Sequence, residues 1–365
     1  MYIFHNLNVF LFFILHFALL CWSVASVHLN SKKLDHICFI MVFICYILIN
    51  VSRTGYGVDE PTYLETYKEY LSTGTLHFEY SFNFMYYLFS LLDISPDFFN
   101  KTYSTLFLIL SLYVVGKFID SPYKSLCLIF FLFFSTTLDF VFNAYRQGIA
   151  VLFILMSLFS FNKNNKTLGV ILFAIGLGFH WSAVVVLLAL LLRKLLSVNL
   201  AVKINVLLIG LTIVASFFPL HIIPSISTIL QMTAGSSPYV SRAINYLNSS
   251  EASFYGLNFL GRLPLIITIL TMTIMLYIYR RGINKYYYTF SILMLSYCLI
   301  LLEMSYSFRN YYWILPMYPF LMVEIVRNAP TKIMRQNNLV VMVILHFLLA
   351  CAGYYTSGII PLIYE

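Results

Sequence analysis

The chain has 365 residues, of which 61% are hydrophobic and only 10% are charged. A soluble globular domain is about 45–50% apolar and about 25% charged, so this composition excludes a soluble fold. In a soluble protein the net charge of +8 would suggest a nucleic-acid partner. Here Lys and Arg cluster in short loops between apolar segments, which is a feature of membrane topology. We therefore expect a single transmembrane domain over residues 1–365 and no nucleic-acid binding.

Apolar segments that are typical of membrane spans recur along the whole chain. In chain order they are Phe4–Val27, Ile37–Val51, Tyr103–Val115, Tyr123–Phe142, Gly148–Phe161, Val202–Phe218, Leu263–Tyr279, Tyr286–Leu302, Tyr311–Val326 and Leu339–Tyr355. They predict an all-α polytopic integral membrane protein of about 10–12 transmembrane helices, including re-entrant or broken segments.

Two further apolar stretches decide the topology. Phe82–Leu92 is too short to cross a hydrocarbon core of about 30 Å, and Leu168–Leu192 is interrupted by Gly176, Gly178 and His180. All basic loops lie on the cytoplasmic side only if both stretches return to the side from which they came. We expect the first to be re-entrant or interfacial and the second to be a broken hairpin with its apex at Phe179–Ser182. Alternatively, both are true spans.

Under the first topology, four loops lie on the outer face with the His180 apex. They cover about residues 53–81, 143–147, 219–262 and 303–310, and they hold almost every charge that is not a cytoplasmic anchor. Irregular backbone at membrane depth is tolerated where it lines a watery cavity. The outer face is therefore the predicted location of any chemistry.

The first outer loop begins with Arg53, and Gly55 and Gly57 lie between this residue and Asp59. A guanidinium beside glycine-rich backbone can bind an anion, and Asp59 then serves as acceptor or base. The alternative is that Arg53 anchors the interface while Asp59 and Glu60 cap a helix that begins at Pro61.

Arg146 and His180 are the next candidates. The planar fork of an Arg suits phosphate or pyrophosphate, although Arg146 is alternatively a snorkelling interfacial side chain. The pKa of a histidine near neutrality suits proton transfer, although a lone histidine among apolar residues is often a satisfied core group.

The longest outer loop contains Arg242 and Arg262 among tyrosines. Aromatic rings with Arg can hold a sugar ring and a phosphate, or the loop simply covers the helices. Glu303 and Arg309 lie about two helical turns apart, which permits an internal ion pair as the structural alternative.

Five of these residues are assigned to one face by a topology that was derived from other residues. They are Arg53, Asp59, Arg146, His180 and Arg309. Such a cluster suits transfer from an anionic lipid-pyrophosphate, because Arg stabilises the leaving group while a carboxylate or His takes a hydroxyl proton. The sequence has no Asp-rich pair and no CxxC spacing, so we expect no metal, no cofactor and no disulfide.

The order of these motifs resembles that of a known family. Four stretches carry the resemblance: Arg53…Gly57-Val-Asp59…Tyr63…Glu79-Tyr-Ser-Phe, Tyr145-Arg146-Gln147-Gly-Ile-Ala150, Phe179-His180-Trp-Ser182-Ala and Arg309-Asn-Tyr-Tyr312…Pro316. Over roughly residues 50–320 the chain resembles the EpsG-like polysaccharide polymerases, which are akin to Wzy-type O-antigen polymerases.

This resemblance implies a glycosyltransferase in the bacterial inner membrane that joins undecaprenyl-pyrophosphate-linked oligosaccharides on the periplasmic face. Its implied partners are those oligosaccharides, membrane lipid and a chain-length regulator protein. The implied catalytic set is Asp59 or His180 as base with Arg146 and Arg309 on pyrophosphate. The implied substrate-binding set is Arg53, Tyr63, Glu79, Gln147, Ser182, Arg242, Arg262 and Tyr312. The alternatives are a lipid-linked oligosaccharide flippase, an O-antigen ligase or another membrane transferase, and a non-catalytic membrane component.

Overall fold

The computed structural model describes residues 7–217, 227–229, 244–245, 254–304 and 306–357, and these residues form helices without any strand. In chain order the α-helices are α1 (Leu7–His28), α2 (Lys32–Ser52), α3 (Glu60–Thr73), α4 (Tyr80–Leu91), α5 (Pro96–Phe118), α6 (Lys124–Leu132), α7 (Ser135–Phe142), α8 (Tyr145–Asn162), α9 (Lys166–Phe179), α10 (Val184–Leu195), α11 (Val198–Ala215), α12 (Phe259–Ile278), α13 (Lys285–Ile300), α14 (Tyr318–Arg327) and α15 (Lys332–Ser357). Short 3-10 helices cover Trp181–Ala183, Phe254–Gly256, Arg280–Gly282, Leu301–Glu303, Ser307–Trp313 and Leu315–Met317.

Within the described ranges, eight helices are long and apolar enough to cross a membrane, or nine if the bent pair α6 and α7 forms one span. The predicted all-α polytopic fold is confirmed. The number of full-length helices is lower than the expected ten because two predicted spans are interrupted. The helix α4 has 12 residues, a length of about 18 Å, which confirms that it is too short to cross the bilayer.

The first interrupted span is Tyr123–Phe142, which consists of two helices, α6 and α7. The helices α6 and α7 meet at an angle of 71° because Phe134 has an extended backbone. A break of this kind leaves helix-end carbonyls without intrahelical partners. The hydroxyl of Tyr46 on α2 donates a hydrogen bond to the carbonyl of Leu132 at this break.

The second interrupted span is Tyr311–Val326. Only its second part is an α-helix, since residues 307–317 form 3-10 turns and α14 begins at Tyr318. Pro316 lacks a backbone N–H and disfavours the helical conformation in the residue before it, which explains why a continuous helix does not form there.

The chain divides into two compact units. The first comprises residues 1–184 and 316–365, and the second comprises residues 185–315. The first unit contains α8, which is the most buried of the long helices. The short helix α9 packs back along α8, and Gly176 faces the backbone carbonyl of Ala150. Small residues permit such close approach of two helices within a membrane.

The first and last described helices meet inside the first unit. The Nε2 atoms of His16 on α1 and His346 on α15 are 2.9 Å apart, and both side chains are buried. The ring of His16 also stacks on Phe133, with a centroid separation of 4.3 Å. A hydrogen bond between two imidazole nitrogens requires one to donate and the other to accept, so the pair shares a single proton in this contact.

A buried carboxylate fastens α2 to α6. Asp35, in the first turn of α2, is fully buried. Its oxygens accept hydrogen bonds from the Ser121 hydroxyl, from the backbone N–H of Lys124 at 3.3 Å, and from the Ser125 backbone at 2.8 Å and hydroxyl at 2.6 Å. The first N–H groups of a helix have no partner within that helix. Asp35 therefore caps α6 from a neighbouring helix.

In the second unit, a buried amide joins three helices. Asn205 on α11 is fully buried; its Nδ2 donates to the Ser296 hydroxyl on α13 at 2.9 Å, and its Oδ1 accepts from the Tyr277 hydroxyl on α12 at 2.9 Å. Because a polar group inside an apolar environment must find partners, this contact specifies how the three helices align.

We expect Asp35→Asn to lower the free energy of unfolding by about 2–3 kcal/mol. Both carboxylate oxygens of Asp35 accept hydrogen bonds, and the NH₂ group of an asparagine would place a donor opposite one set of these donors. Thermal unfolding of the purified protein in detergent measures the effect. Asp97→Asn is the matched control, since Asp97 also lies in the first turn of a helix but is exposed. Equal losses in the two variants would show that the buried contacts of Asp35 contribute nothing specific.

Candidate functional site

The first polar cluster is built around Glu60, the first residue of α3. Its side chain is fully buried, and its Oε1 accepts a hydrogen bond from Arg53 Nη1 at 2.6 Å. The same carboxylate accepts from the backbone N–H of Gly57 at 2.8 Å and from the hydroxyl of Tyr145. Arg53 thus pairs with Glu60, whereas the neighbouring Asp59 is half-buried and occupies the N-cap position of α3 without a side-chain capping bond.

The loop before α3 lies directly against the junction of α7 and α8. A side chain at position 57 would overlap the backbone of Phe142 and the Cβ atom of Asn143, so a glycine is required at this contact. The backbone N–H of Asp59 donates to Asn143 Oδ1 at 2.6 Å, and Asn143 Nδ2 donates to Asp139 Oδ1 at 2.9 Å. A continuous set of hydrogen bonds therefore connects this loop to α7.

The second polar cluster surrounds Arg146, in the first turn of α8. Its Nη1 donates to Glu79 Oε2 at 2.7 Å, and its guanidinium carbon lies 4.6 Å from the centre of the Phe78 ring. Its Nε is buried and has no hydrogen-bond partner among the described residues. Burial raises the pKa of the adjacent Tyr63 phenol, and the Arg146 guanidinium opposes this shift. The Arg146 side chain is 29% exposed, so it remains accessible to an anion.

The predicted break at His180 is confirmed, because α9 ends at Phe179 and His180 has an extended backbone. The Nδ1 atom of His180 accepts from the Ser182 backbone at 3.3 Å and is 2.9 Å from the Ser182 hydroxyl. Because a backbone N–H can only donate, the neutral imidazole carries its proton on Nε2. The break also touches the second cluster, since the Trp181 backbone N–H faces Glu79 Oε1 at 3.4 Å.

The helix α4 is positioned by its contact with α9. The hydroxyl of Tyr80 donates to the carbonyl of Ala174 at 2.8 Å, and the hydroxyl of Ser81 donates to that of Ile175 at 3.2 Å. A side chain at Gly178 would overlap both Tyr80 and Ser81. This close contact holds Glu79, which precedes α4, beside the break at His180.

The structure thus brings most of the predicted site residues of the first unit into two adjoining clusters. Arg53 belongs to the Glu60 cluster, which Asp59 joins through its backbone; Tyr63, Glu79, Arg146, His180 and Ser182 belong to the Arg146 cluster. Gln147 is buried in the same helical turn as Arg146. Tyr145 connects the two clusters, since it binds Glu60 and stacks on Tyr63 with a centroid separation of 5.1 Å.

The remaining predicted residues belong to the second unit. Arg262 donates to the backbone carbonyls of Leu257 and Tyr255, each at 2.7 Å. Arg309 is exposed, and its guanidinium lies 5.4 Å from the Tyr306 ring. Tyr312 is buried at 8% exposure. Arg242 lies outside the described residues.

Two carboxylates of these clusters were missed in the sequence. Glu60 stands directly beside Asp59 and was assigned to a helix cap, while Asp139 lies inside an apolar segment. A carboxylate within a transmembrane segment is itself a signal of a polar contact, so Asp139 could have been identified from the sequence. Nothing in the sequence distinguishes Glu60 from Asp59 as the partner of Arg53.

The helices define a multi-pass α-helical membrane protein with a polar site at one end of α8. The sequence profile of the EpsG family matches residues 36–363, and the chain belongs to this family. No curated protein and no solved structure shows significant similarity to the chain.

The burial of Glu60 predicts a pH-dependent stability. Burial raises the pKa of this carboxyl from 4.5 to about 7, against the opposing effect of Arg53. The folded state therefore holds the proton more tightly than the unfolded state, and the resulting stabilisation is complete below pH 4.5 and lost as the pH rises through about 7.

We expect the unfolding midpoint of the wild-type protein to decrease between pH 5 and pH 8, with a contribution from Glu60 on the order of 3 kcal/mol. In Glu60→Gln, which cannot titrate, this part of the slope should disappear. Denaturation in detergent at a series of pH values measures both. Identical slopes in the two proteins would contradict the raised pKa.

Proposed function

We propose that this protein is a polysaccharide polymerase of the bacterial inner membrane that acts on the periplasmic face. It transfers a growing glycan from undecaprenyl pyrophosphate to a hydroxyl of a second lipid-linked repeat unit. Membership of the EpsG family supports this proposal. The observation that carries it is the accessible Arg146, which Glu79 and Phe78 hold beside the break at His180.

In the proposed reaction the bond between the anomeric carbon and the pyrophosphate oxygen breaks, and undecaprenyl pyrophosphate leaves with the electron pair. The acceptor oxygen forms the new glycosidic bond and loses its proton to a base. A fixed guanidinium stabilises the charge that develops on the leaving oxygen, which is the role we assign to Arg146.

His180 and Asp59 have different proposed roles. Since the neutral His180 carries its proton on Nε2, it is suited to donate a hydrogen bond to a phosphate oxygen. Asp59 is then the preferred base, because its side chain is only half-buried, whereas that of the neighbouring Glu60 is fully buried. Arg53 is already engaged by Glu60, so we assign it to holding the loop. Two further assignments come from the family resemblance alone. They are Arg309 as a pyrophosphate ligand, and Arg242, Arg262 and Tyr312 as substrate ligands.

Deletion of the gene should collapse the ladder of surface-polysaccharide bands on a gel to a single repeat unit, and the wild-type gene should restore it. Arg146→Ala and Arg309→Ala should fail to restore the ladder, because the negative charge of the leaving group would lose a donor. Arg281→Ala is the control, since Arg281 is exposed in the predicted cytoplasmic loop before α13.

The band pattern also separates the alternatives. Complete loss of repeat units in the deletion strain would favour a ligase or a flippase over a polymerase. A full ladder in the deletion strain would exclude a role of this protein in polysaccharide assembly. If both arginine variants express well and restore normal chain lengths, the assigned roles of Arg146 and Arg309 are wrong.

We further propose that the reaction needs no metal ion, because guanidinium groups can supply the positive charge that a pyrophosphate leaving group requires. Polymerisation by the purified protein should persist within about twofold after treatment with EDTA, a factor that corresponds to less than 1 kcal/mol in barrier height. A loss of activity that added Mg²⁺ or Mn²⁺ restores would overturn this part of the proposal.

A further inference from the structure

The proposed reaction assigns no role to the buried carboxylate of Glu60. Its side chain has no exposed surface, so it cannot touch a substrate. Its three hydrogen-bond donors nevertheless come from three different parts of the chain: Arg53 at the end of α2, Gly57 in the following loop, and Tyr145 at the start of α8. Glu60 therefore connects the end of α2, the loop and the start of α8.

The contact with Tyr145 leads directly to the proposed site. Tyr145 is the first residue of α8, and Arg146 is the second. The Tyr145 ring is held between Tyr63 and Tyr103, with centroid separations of 5.1 Å and 3.7 Å. Packing confines the two faces of the ring, and the hydrogen bond to Glu60 fixes its hydroxyl end. Any displacement of Tyr145 is transmitted to Arg146 through one peptide unit.

We infer that Glu60 is a positioning residue whose ionised carboxylate, through Tyr145, fixes the first turn of α8 and so holds the Arg146 guanidinium in its working orientation. This inference rests on the proposed function and deepens it. It also identifies Glu60 as the carboxylate of the first loop that Arg146 depends on, a role distinct from that of Asp59.

The three contacts of Glu60 favour its ionised form. The Arg53 guanidinium and the Gly57 N–H can only donate, and the Tyr145 hydroxyl donates to a carboxylate that offers only acceptors. Protonation removes the negative charge that faces Arg53 and turns one oxygen into a donor, so the hydrogen bond with Tyr145 must reverse its direction or one of the three bonds must break. Because burial raises the pKa of Glu60 to about 7, this rearrangement occurs near neutral pH. The position of Arg146 is therefore coupled to pH.

The titratable and charged groups around Glu60 come from each element that packs against it. They are Arg53 from the end of α2, Asp59 and Tyr63 from the α3 segment, Tyr103 from α5, and Tyr145 and Arg146 from α8. Burial raises the pKa of Glu60 itself to about 7.

To test this inference, the kcat of polymerisation is measured between pH 5.5 and pH 9. The assay uses the full-length protein in nanodiscs and undecaprenyl-pyrophosphate-linked repeat units as substrate. We expect the wild-type kcat to fall as the pH decreases through about 7. Glu60→Gln should reduce kcat by about ten- to a hundredfold and remove this acid limb, with a smaller change in KM, because misplacement by about 1 Å costs up to a hundredfold.

A second variant keeps the inference testable if Glu60→Gln does not fold. Tyr145→Phe removes only the hydroxyl that binds Glu60, and it should lower kcat by about tenfold through the same misplacement. Tyr67→Phe is its matched control: Tyr67 lies on α3 and donates to the carbonyl of Ile94 at 2.8 Å, away from Glu60. Its kcat should remain at the wild-type level.

The outcomes separate this inference from the proposed function. A wild-type protein without polymerase activity at any pH would refute the function. Wild-type kcat in Glu60→Gln and Tyr145→Phe, in an active enzyme, would refute only the role of Glu60. An acid limb that persists in Glu60→Gln but disappears in His180→Gln would assign the titration to the histidine and also overturn the inference.

Discussion

The site depends on a buried carboxylate that satisfies donors from separate segments. An unpaired charge away from water costs several kcal/mol, whereas a carboxylate that accepts several hydrogen bonds from well-placed donors can be accommodated. Glu60 has this environment, and so does Asp35, which lies on α2 and caps the start of α6. In both cases a short polar contact determines where one apolar helix begins relative to another. The apolar surfaces themselves provide little such specificity, because one helix face resembles another.

Glycine determines which backbones can approach these contacts. Gly57 lies against the junction of α7 and α8, and Gly178 lies against the start of α4. These two approaches place the Glu60 and Arg146 clusters next to each other. The polar groups of the site are thus brought together because no side chain at Gly57 or Gly178 keeps the neighbouring segments apart.

Much of this arrangement could be predicted from the sequence. Span length and the distribution of basic residues indicated the all-α membrane fold, and the glycines around His180 indicated the break that the structure shows at that residue. Two predicted spans contain helix breaks that the sequence did not indicate, because periodicity and apolar character persist through Phe134 and through residues 311–317 even though the α-helix does not. The choice between Asp59 and Glu60 as the partner of Arg53 could not be made, since it depends on the direction in which the start of α3 points each side chain, and the sequence does not show that direction. Asp139 could have been found, since its charge is unusual in an apolar segment.

The contact between His16 and His346 has a consequence for biosynthesis. The two residues are 330 positions apart in the chain, and α1 enters the bilayer long before α15 has been translated. Throughout that interval His16 lacks the imidazole with which it pairs in the folded protein. The first unit can acquire its complete interior only when the last described helix arrives, so its final assembly is a late, post-insertion event.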